Sequence, residues 1–304
     1  MSDPVSIFDR PLLRKRRDRA AAGFAAHDFL VREAAERLCD RLSDVTRGFP
    51  MALDLGCHTG ELADTLGGRG GIRTLVQCDL SPAMAAKAAE NGQPTLAADE
   101  EWLPFADQSF DLVLSCLSLH WVNDLPGALV QIRRVLKPDG LLLAVMLGGE
   151  TLGHLRACLA EAELAEEGGI SPRVSPMADV RDMGRLLQRA GFALPVADAD
   201  EVSVSYGDPM RLLADLRGMA ETNAVVERRK TLSRRATLLH ALNLYQSRHA
   251  GADGRVPAVF HLVTVTGWKP HPSQPQPLAP GGGHLSLADV LSGGRGEVLA
   301  PTKD

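Results

Sequence analysis

The sequence predicts an α/β fold built on a doubly wound, seven-stranded sheet, and three observations carry that prediction. The apolar run Met51–Leu55 enters a glycine turn, Gly56–Gly60, and a second run follows, Leu75–Asp79, ending on a carboxylate. Asp79 lies 25 residues past Asp54, about where a βαβ nucleotide-binding unit places its ribose-binding acid. Apolar strand-length runs then alternate with helical periods as far as Leu147. The last of them, Leu141–Leu147, is nearly all apolar, as a parallel strand covered on both faces must be.

Taken in order, Ile7–Gly23 reads as a basic helix without a long apolar stripe, expected on the surface or against a partner. Asp28–Val45 repeats apolar residues with a helical period at Leu30, Val31, Ala34, Ala35, Leu38 and Leu42, so residues 1–45 form N-terminal helices. The sheet domain spans 46–268. Pro94–Leu103 supplies a short third strand and Phe110–Val113 opens the fourth. Asn123 or Asp124 caps a helix that Pro138 stops, with Arg133, Arg134 and Lys137 complementing its C-terminal dipole. Past Gly149 come helical insertions at about 150–190 and 207–256. The first holds helices Glu150–Glu167 and Ala178–Ala190 around the loop Gly168–Met177. Pro209–Ala220 and Leu232–His249 make the second, between the sixth and seventh strands, Asp200–Tyr206 and Val259–Trp268. They are expected to roof the substrate. Residues 269–304, rich in Pro and Gly, cannot support a core and are expected to be a disordered tail, with Leu285–Leu291 as a short docking turn.

Composition narrows the function classes. A 45% hydrophobic content is that of a globular protein, and a net charge of −5 gives no electrostatic case for nucleic acid. No apolar run approaches the roughly 18–20 residues of a membrane span. The five cysteines are scattered, odd in number and lack C-x-x-C spacing, which favours free thiols in a reducing compartment. The basic N-terminus has no apolar core for secretion, and Asp3, Asp9 and Asp18 count against a transit peptide. The cytoplasm is the expected location.

The glycine turn selects the nucleoside. A dinucleotide fingerprint starting at Gly56 needs glycines at 58 and 61, where the chain has His58 and Glu61. Asp54-x-Gly56-x-x-x-Gly60 instead resembles the D-x-G-x-G-x-G loop of class I methyltransferases, which bind S-adenosyl-L-methionine (SAM), with His58 for the middle glycine. Downstream, Asp99 stands where that superfamily accepts from the adenine amine. Leu103-Pro104-Phe105, Phe110-Asp111-Leu112-Val113 and Leu136-Lys137-Pro138-Asp139-Gly140 repeat its "LPF…FDLV" and "LKPGG" patterns. The resemblance implies a Rossmann-like class I fold and a SAM site at Asp54, Gly56, Cys57, Gly60, Asp79, Leu80, Asp99, Glu100 and Ser115. His58 puts the pose of the methionine end in question and leaves the contacts at Asp79 and Asp99 untouched.

Longer segments narrow the resemblance. Ile7-Phe8-Asp9-Arg10, Ala98–Phe105 (ADEEWLPF), Ser115–Pro126 (SCLSLHWVNDLP), Gly148–Leu152, Glu167–Pro176 (EGGISPRVSP), Arg189–Phe192 and Gly267-Trp268-Lys269 resemble the mitochondrial complex I assembly factor 5 family over nearly the whole chain. The malonyl-carrier-protein methyltransferases are similar over the nucleotide-binding unit. The family resemblance implies hydroxylation of an arginine in a Fe–S subunit of NADH–quinone oxidoreductase (complex I); that family is mitochondrial and inner-membrane associated.

The residues themselves leave alternatives open. A sulfonium methyl transfer needs little acid–base machinery, so no catalytic set is expected from the sequence. Oxygen chemistry usually needs a metal or flavin, and no His-x-Asp/Glu pair with a distant His marks an iron site. A methyltransferase acting on a small molecule or carrier protein, or a SAM-binding assembly chaperone without turnover, fits the same motifs. His120 and Trp121, after the fourth strand, and Glu167 and Glu221, in the roof with Asp215, are the candidate substrate contacts.

Overall fold

Seven strands line up in the order β3-β2-β1-β4-β5-β7-β6 in the computed structural model, which describes residues 6–275. They are β1 (Met51–Leu55), β2 (Thr74–Asp79), β3 (Thr95–Ala97), β4 (Phe110–Cys116), β5 (Leu136–Leu147), β6 (Ala193–Tyr206) and β7 (Val256–Trp268). The pairs β1–β2, β2–β3, β1–β4 and β4–β5 are parallel, while β7 runs antiparallel between β5 and β6. The order reverses at β1 and β4, so a crevice opens at their carboxyl ends. That is where the glycine turn sits.

Helices cover both faces. The first three are α1 (Arg10–Ala20), α2 (Phe29–Ser43) and α3 (Glu61–Leu66), followed by α4 (Pro82–Ala88) and α5 (Leu125–Val135). The insertions supply α6 (Gly153–Glu167), α7 (Val180–Arg189), α8 (Pro209–Gly218) and α9 (Arg235–His249). Local chemistry explains several starts: Asp9, Ser81, Asp124 and Asp208 each cap a helix with Pro in its first turn. The helical period in the α2 sequence is real, since Leu30, Val31, Ala34, Ala35, Leu38 and Leu42 are all buried.

Two apolar layers sandwich the sheet. One joins α2, α6, α8 and α9 to Leu112, Leu114, Leu141 and Leu143; the other joins α5 and α7 to Leu53, Leu55, Val113 and Leu142. Alternate residues of one strand thus enter opposite cores, which is why the Leu141–Leu147 stretch of β5 is apolar throughout. Residues to Pro270 make one unit; His271–Asp304 fall in another, of which 271–275 are described and form a turn. Nearly all of the predicted tail, including Leu285–Leu291, lies outside the described residues. No helix among those described is long and apolar enough to cross a membrane.

Pro138 does not stop α5, which ends at Val135 and leaves Pro138 inside β5, and the expectation for the N-terminal helix fails as well. α1 is not a surface helix: Arg10 and Leu13 are buried, and Arg17 is 1% exposed. Its buried side is partly cationic, which a search for an apolar stripe passes over.

Candidate functional site

The turn after β1 is shaped by three left-handed residues, Gly56 (φ 78°), His58 (φ 49°) and Gly60 (φ 104°). A Cβ on Gly56 would overlap the Ser118 side chain, so glycine is needed there for space as well as for φ. The N–H groups of Gly56 and Cys57 both donate to the Cys78 carbonyl, at 2.8 and 3.0 Å, tying the turn to the end of β2. His58 is buried, its Nε2 3.0 Å from the Cys116 carbonyl oxygen, and its ring stacks on Phe24. Glu61 accepts from the Thr59 N–H at 3.0 Å and from its hydroxyl, placing a buried carboxylate at the start of α3. A pyrophosphate would meet that charge.

Asp79, at the end of β2, is fully buried. It accepts from the Ser81 N–H at 2.7 Å and the His58 N–H at 3.2 Å. Asp99 accepts from the Glu101 N–H at 2.9 Å and keeps part of its side chain open. Leu80 and Asp99 line a cavity of about 470 Å³ with Arg10, Pro11, Arg14, Lys15 and Asp18.

Glu100, which Arg10 of this cavity holds, has no exposure. Burial alone would raise its carboxyl, but Arg10 and Arg17 overcome that and, with the Ser118 hydroxyl 2.6 Å away, hold it at about 2. Asp54 goes the other way: burial pushes it up to about 8, and the Gln77 amide offsets only part of this. Burial also pushes the thiols of Cys57, Cys78 and Cys116 well up, leaving them inert, and all five cysteines are buried and free.

Beyond β4, Leu119–Trp121 makes one tight turn that aims His120 and Trp121 at Glu221. His120 Nε2 lies 3.0 Å from Glu221 Oε2, and the Trp121 indole N–H donates to the same carboxylate at 3.0 and 3.1 Å. Burial would raise Glu221; His120, Trp121 and Arg17 together bring it below its usual range. Glu221 and Trp121 line a cavity of about 460 Å³ with Leu155, Leu159, Val174, Met177, Leu213, Leu216 and Phe260, and with Arg173 and Arg217.

The structure separates the remaining roof acids from this group. Glu167, at the end of α6, is held by Arg229, by Arg173 at 3.5 Å, by Arg234 at 3.9 Å and by the Thr237 hydroxyl at 2.6 Å. Asp215 faces His27 Nδ1 at 2.8 Å. Instead of an acidic roof, Arg16, Arg173, Arg228, Arg229 and Lys230 line a basic hollow of about 520 Å³. Ser115 donates to the Leu55 carbonyl at 2.7 Å, joining β4 to β1. The hydroxyl that faces the crevice carboxylates belongs to Ser118, which, like Arg10 and Arg17, sequence reasoning missed. The Ile7–Arg10 motif placed Arg10 in the family pattern without revealing its partners.

Among the described residues no three His, Cys, Asp or Glu side chains converge as a metal site.

Known proteins match this architecture. The model of the methyltransferase domain family matches residues 53–144, from β1 to β5. The YcgJ protein of Bacillus subtilis superposes with a TM-score of 0.53 at 15% identity, covering 77% of this chain and 98% of that one, a likeness of fold. A malonyl-acyl-carrier-protein O-methyltransferase of Methylovorus is 33% identical over 89% of this chain and 92% of its own length. That likeness therefore extends well past the nucleotide-binding unit, correcting the narrower expectation. The mitochondrial arginine hydroxylase NDUFAF5 of Danio rerio is 42% identical over 96% of this chain and 91% of its own length. The chain belongs to the NDUFAF5 arginine-hydroxylase family, within the class I methyltransferase superfamily.

Proposed function

We propose that the protein binds SAM in the crevice over β1, β2 and β3 and modifies an arginine of a Fe–S subunit of NADH–quinone oxidoreductase during assembly of complex I. The observation that carries the arginine assignment is the 42% identity to an arginine hydroxylase across the roof as well as the cofactor unit. In this reading residues 46–268 are the SAM- and substrate-binding domain and residues 1–45 its helical cover. The protein acts in the cytoplasm, where its buried thiols stay reduced.

Several of the site residues have a place in it. Asp79 receives the ribose hydroxyls, Asp99 the adenine amine, and Leu80 the face of the base. The backbone of Gly56, Cys57 and Gly60 lies under the methionine end, close because Gly56 has no Cβ. SAM, when bound, supplies an electrophilic methyl on sulfur. Glu221 faces the substrate cavity with His120 and Trp121 fixing its orientation, and a buried carboxylate is the natural seat for a guanidinium.

A specific observation favours a second reading. Arg173 and Arg217 line the same cavity, and guanidiniums there suit a carboxylate substrate such as the malonyl group that the 33% identical relative methylates. Mass spectrometry of the Fe–S subunit purified with and without this gene separates the readings. A hydroxyl-sized gain supports the arginine hydroxylase and a methyl-sized gain a protein methyltransferase. An unchanged subunit, with methyl transfer to malonyl carrier protein in vitro, supports the second reading. No transfer to either leaves a SAM-binding chaperone.

A further inference from the structure

The outward edge of Asp79 is already in use. Two of its acceptor positions go to the Ser81 and His58 N–H groups, and Arg17 Nη1 spans the rest, 3.4 Å from Oδ1 and 3.3 Å from Oδ2. The same guanidinium reaches Glu100 Oε1 at 3.4 Å and donates to Ser118 Oγ at 3.2 Å. Ser118 is the side chain that packs against Gly56. Arg17 therefore lies over the glycine turn and across the acid at the end of β2, where a nucleoside's ribose and sulfur must lie.

Arg10 repeats the arrangement one step outward. Its Nη2 bridges Asp99, at 2.5 Å, and Glu100, while Nη1 donates to the Trp121 carbonyl at 3.3 Å. Both arginines come from α1, which is held independently at each end. Asn123 Oδ1 accepts from the Ile7 and Phe8 N–H groups, and Phe24 packs in the core beyond. These anchors flank α1, so the helix between them can loosen from the acids while both ends stay attached.

We propose that Arg17 and the ribose of SAM compete for Asp79, so that α1 is a strap whose guanidinium must leave before the cofactor seats. A carboxylate with two lone pairs taken by backbone cannot hold both a guanidinium nitrogen lying across its two oxygens and a ribose diol. Removing Arg17 leaves Asp79 and Glu100 buried with one fewer cation between them, a state that a sulfonium cofactor relieves. The measured affinity in the native protein is thus the intrinsic affinity reduced by the fraction of molecules in which Arg17 has moved away.

This inference rests on the proposed SAM site, and calorimetry keeps the two apart. SAM is titrated into the full-length protein, Arg17→Ala and Arg17→Lys, with hydrogen exchange of residues 10–20 followed with and without SAM. The proposal expects SAM to bind Arg17→Ala about tenfold more tightly than wild type, with Arg17→Lys between them, and α1 amides to exchange faster in the SAM complex. Should Arg17→Ala not fold, the Lys variant and the wild-type exchange carry the same comparison. Equal or weaker binding by the variants, or slower exchange in α1 with SAM, overturns the strap and leaves the SAM site standing. No SAM binding by any of the three overturns both.

Discussion

The imidazole of His58 lies parallel to the ring of Phe24, their centroids 5.5 Å apart and their planes 12° from one another. The contact joins the turn after β1 to the segment following α1. It also explains how a residue with φ 49° survives where glycine is the easier choice, since left-handed backbone costs a side-chain-bearing residue about 1–2 kcal/mol. His58 holds packing that glycine would lose.

His58→Gly is accordingly expected to relieve backbone strain while opening a cavity against Phe24. SAM affinity should stay within about threefold of wild type or improve, and the melting temperature should drop by a few degrees. Calorimetry and thermal melts measure the two sides. A variant that binds SAM normally and forms no product would instead assign His58 a chemical role.

Asp79→Ala should weaken SAM binding by about 1.5–3 kcal/mol, the range for losing charge-assisted hydrogen bonds to a diol. Titration of the folded variant is the check, and an unchanged dissociation constant removes Asp79 from the site. NAD should fail to compete with SAM at millimolar concentration, because the Glu61 carboxylate stands where its pyrophosphate would sit.

Glu221 and Glu167, both acidic and both in the roof, should respond differently. Glu221→Gln keeps the shape beside His120 and Trp121 but removes the charge facing the cavity. Its expected effect is at least a tenfold loss of subunit modification with SAM affinity nearly unchanged. Glu167→Gln loosens the tie to Arg173, Arg229 and Arg234 and should act on the melting temperature. If both variants modify the subunit at the wild-type rate, neither carboxylate holds substrate.

Two buried acids set opposite pH trends. Glu100, held at about 2, contributes stability that is complete above the ordinary carboxylate range and is lost as pH falls from about 4.5 toward 2. Asp54, raised to about 8, binds its proton more tightly when folded, so its contribution declines as pH rises from about 4 through 8. Thermal melts of Glu100→Gln should fall below wild type at pH 7 and converge with it only toward pH 2. Asp54→Asn should melt above wild type at pH 9, with the gap narrowing by pH 5. Parallel curves would contradict both assignments.

Sequence legibility followed the physics of each part. Periodicity and turn residues located β1, β2, β4 and β5, because burial on both faces leaves an unbroken apolar record. The insertion helices emerged within a few residues of expectation from their helical period. β6 was read from Asp200, yet it begins at Ala193, since its early residues pair with β7 while remaining half exposed. The carboxylates of the crevice were legible through their fixed spacing. Arg10, Arg17 and Ser118 were not, because their meaning depends on contacts spanning 62 to 101 residues that no local pattern encodes. Ser115, three residues earlier in β4, drew attention by position and proved to join two strands.

The placement of β7 has a consequence for how the chain reaches this shape. β5 is complete at Leu147, but the strand that covers its outer edge starts at Val256. During synthesis at about 5–20 residues per second, the row of unpaired amides along the apolar run Leu141–Leu147 waits several seconds for its neighbour. A message truncated before Val256 would leave that edge open for good. The nascent polypeptide should therefore recruit chaperones between these two points, and a nonsense mutation in α9 should yield aggregates rather than a smaller soluble enzyme.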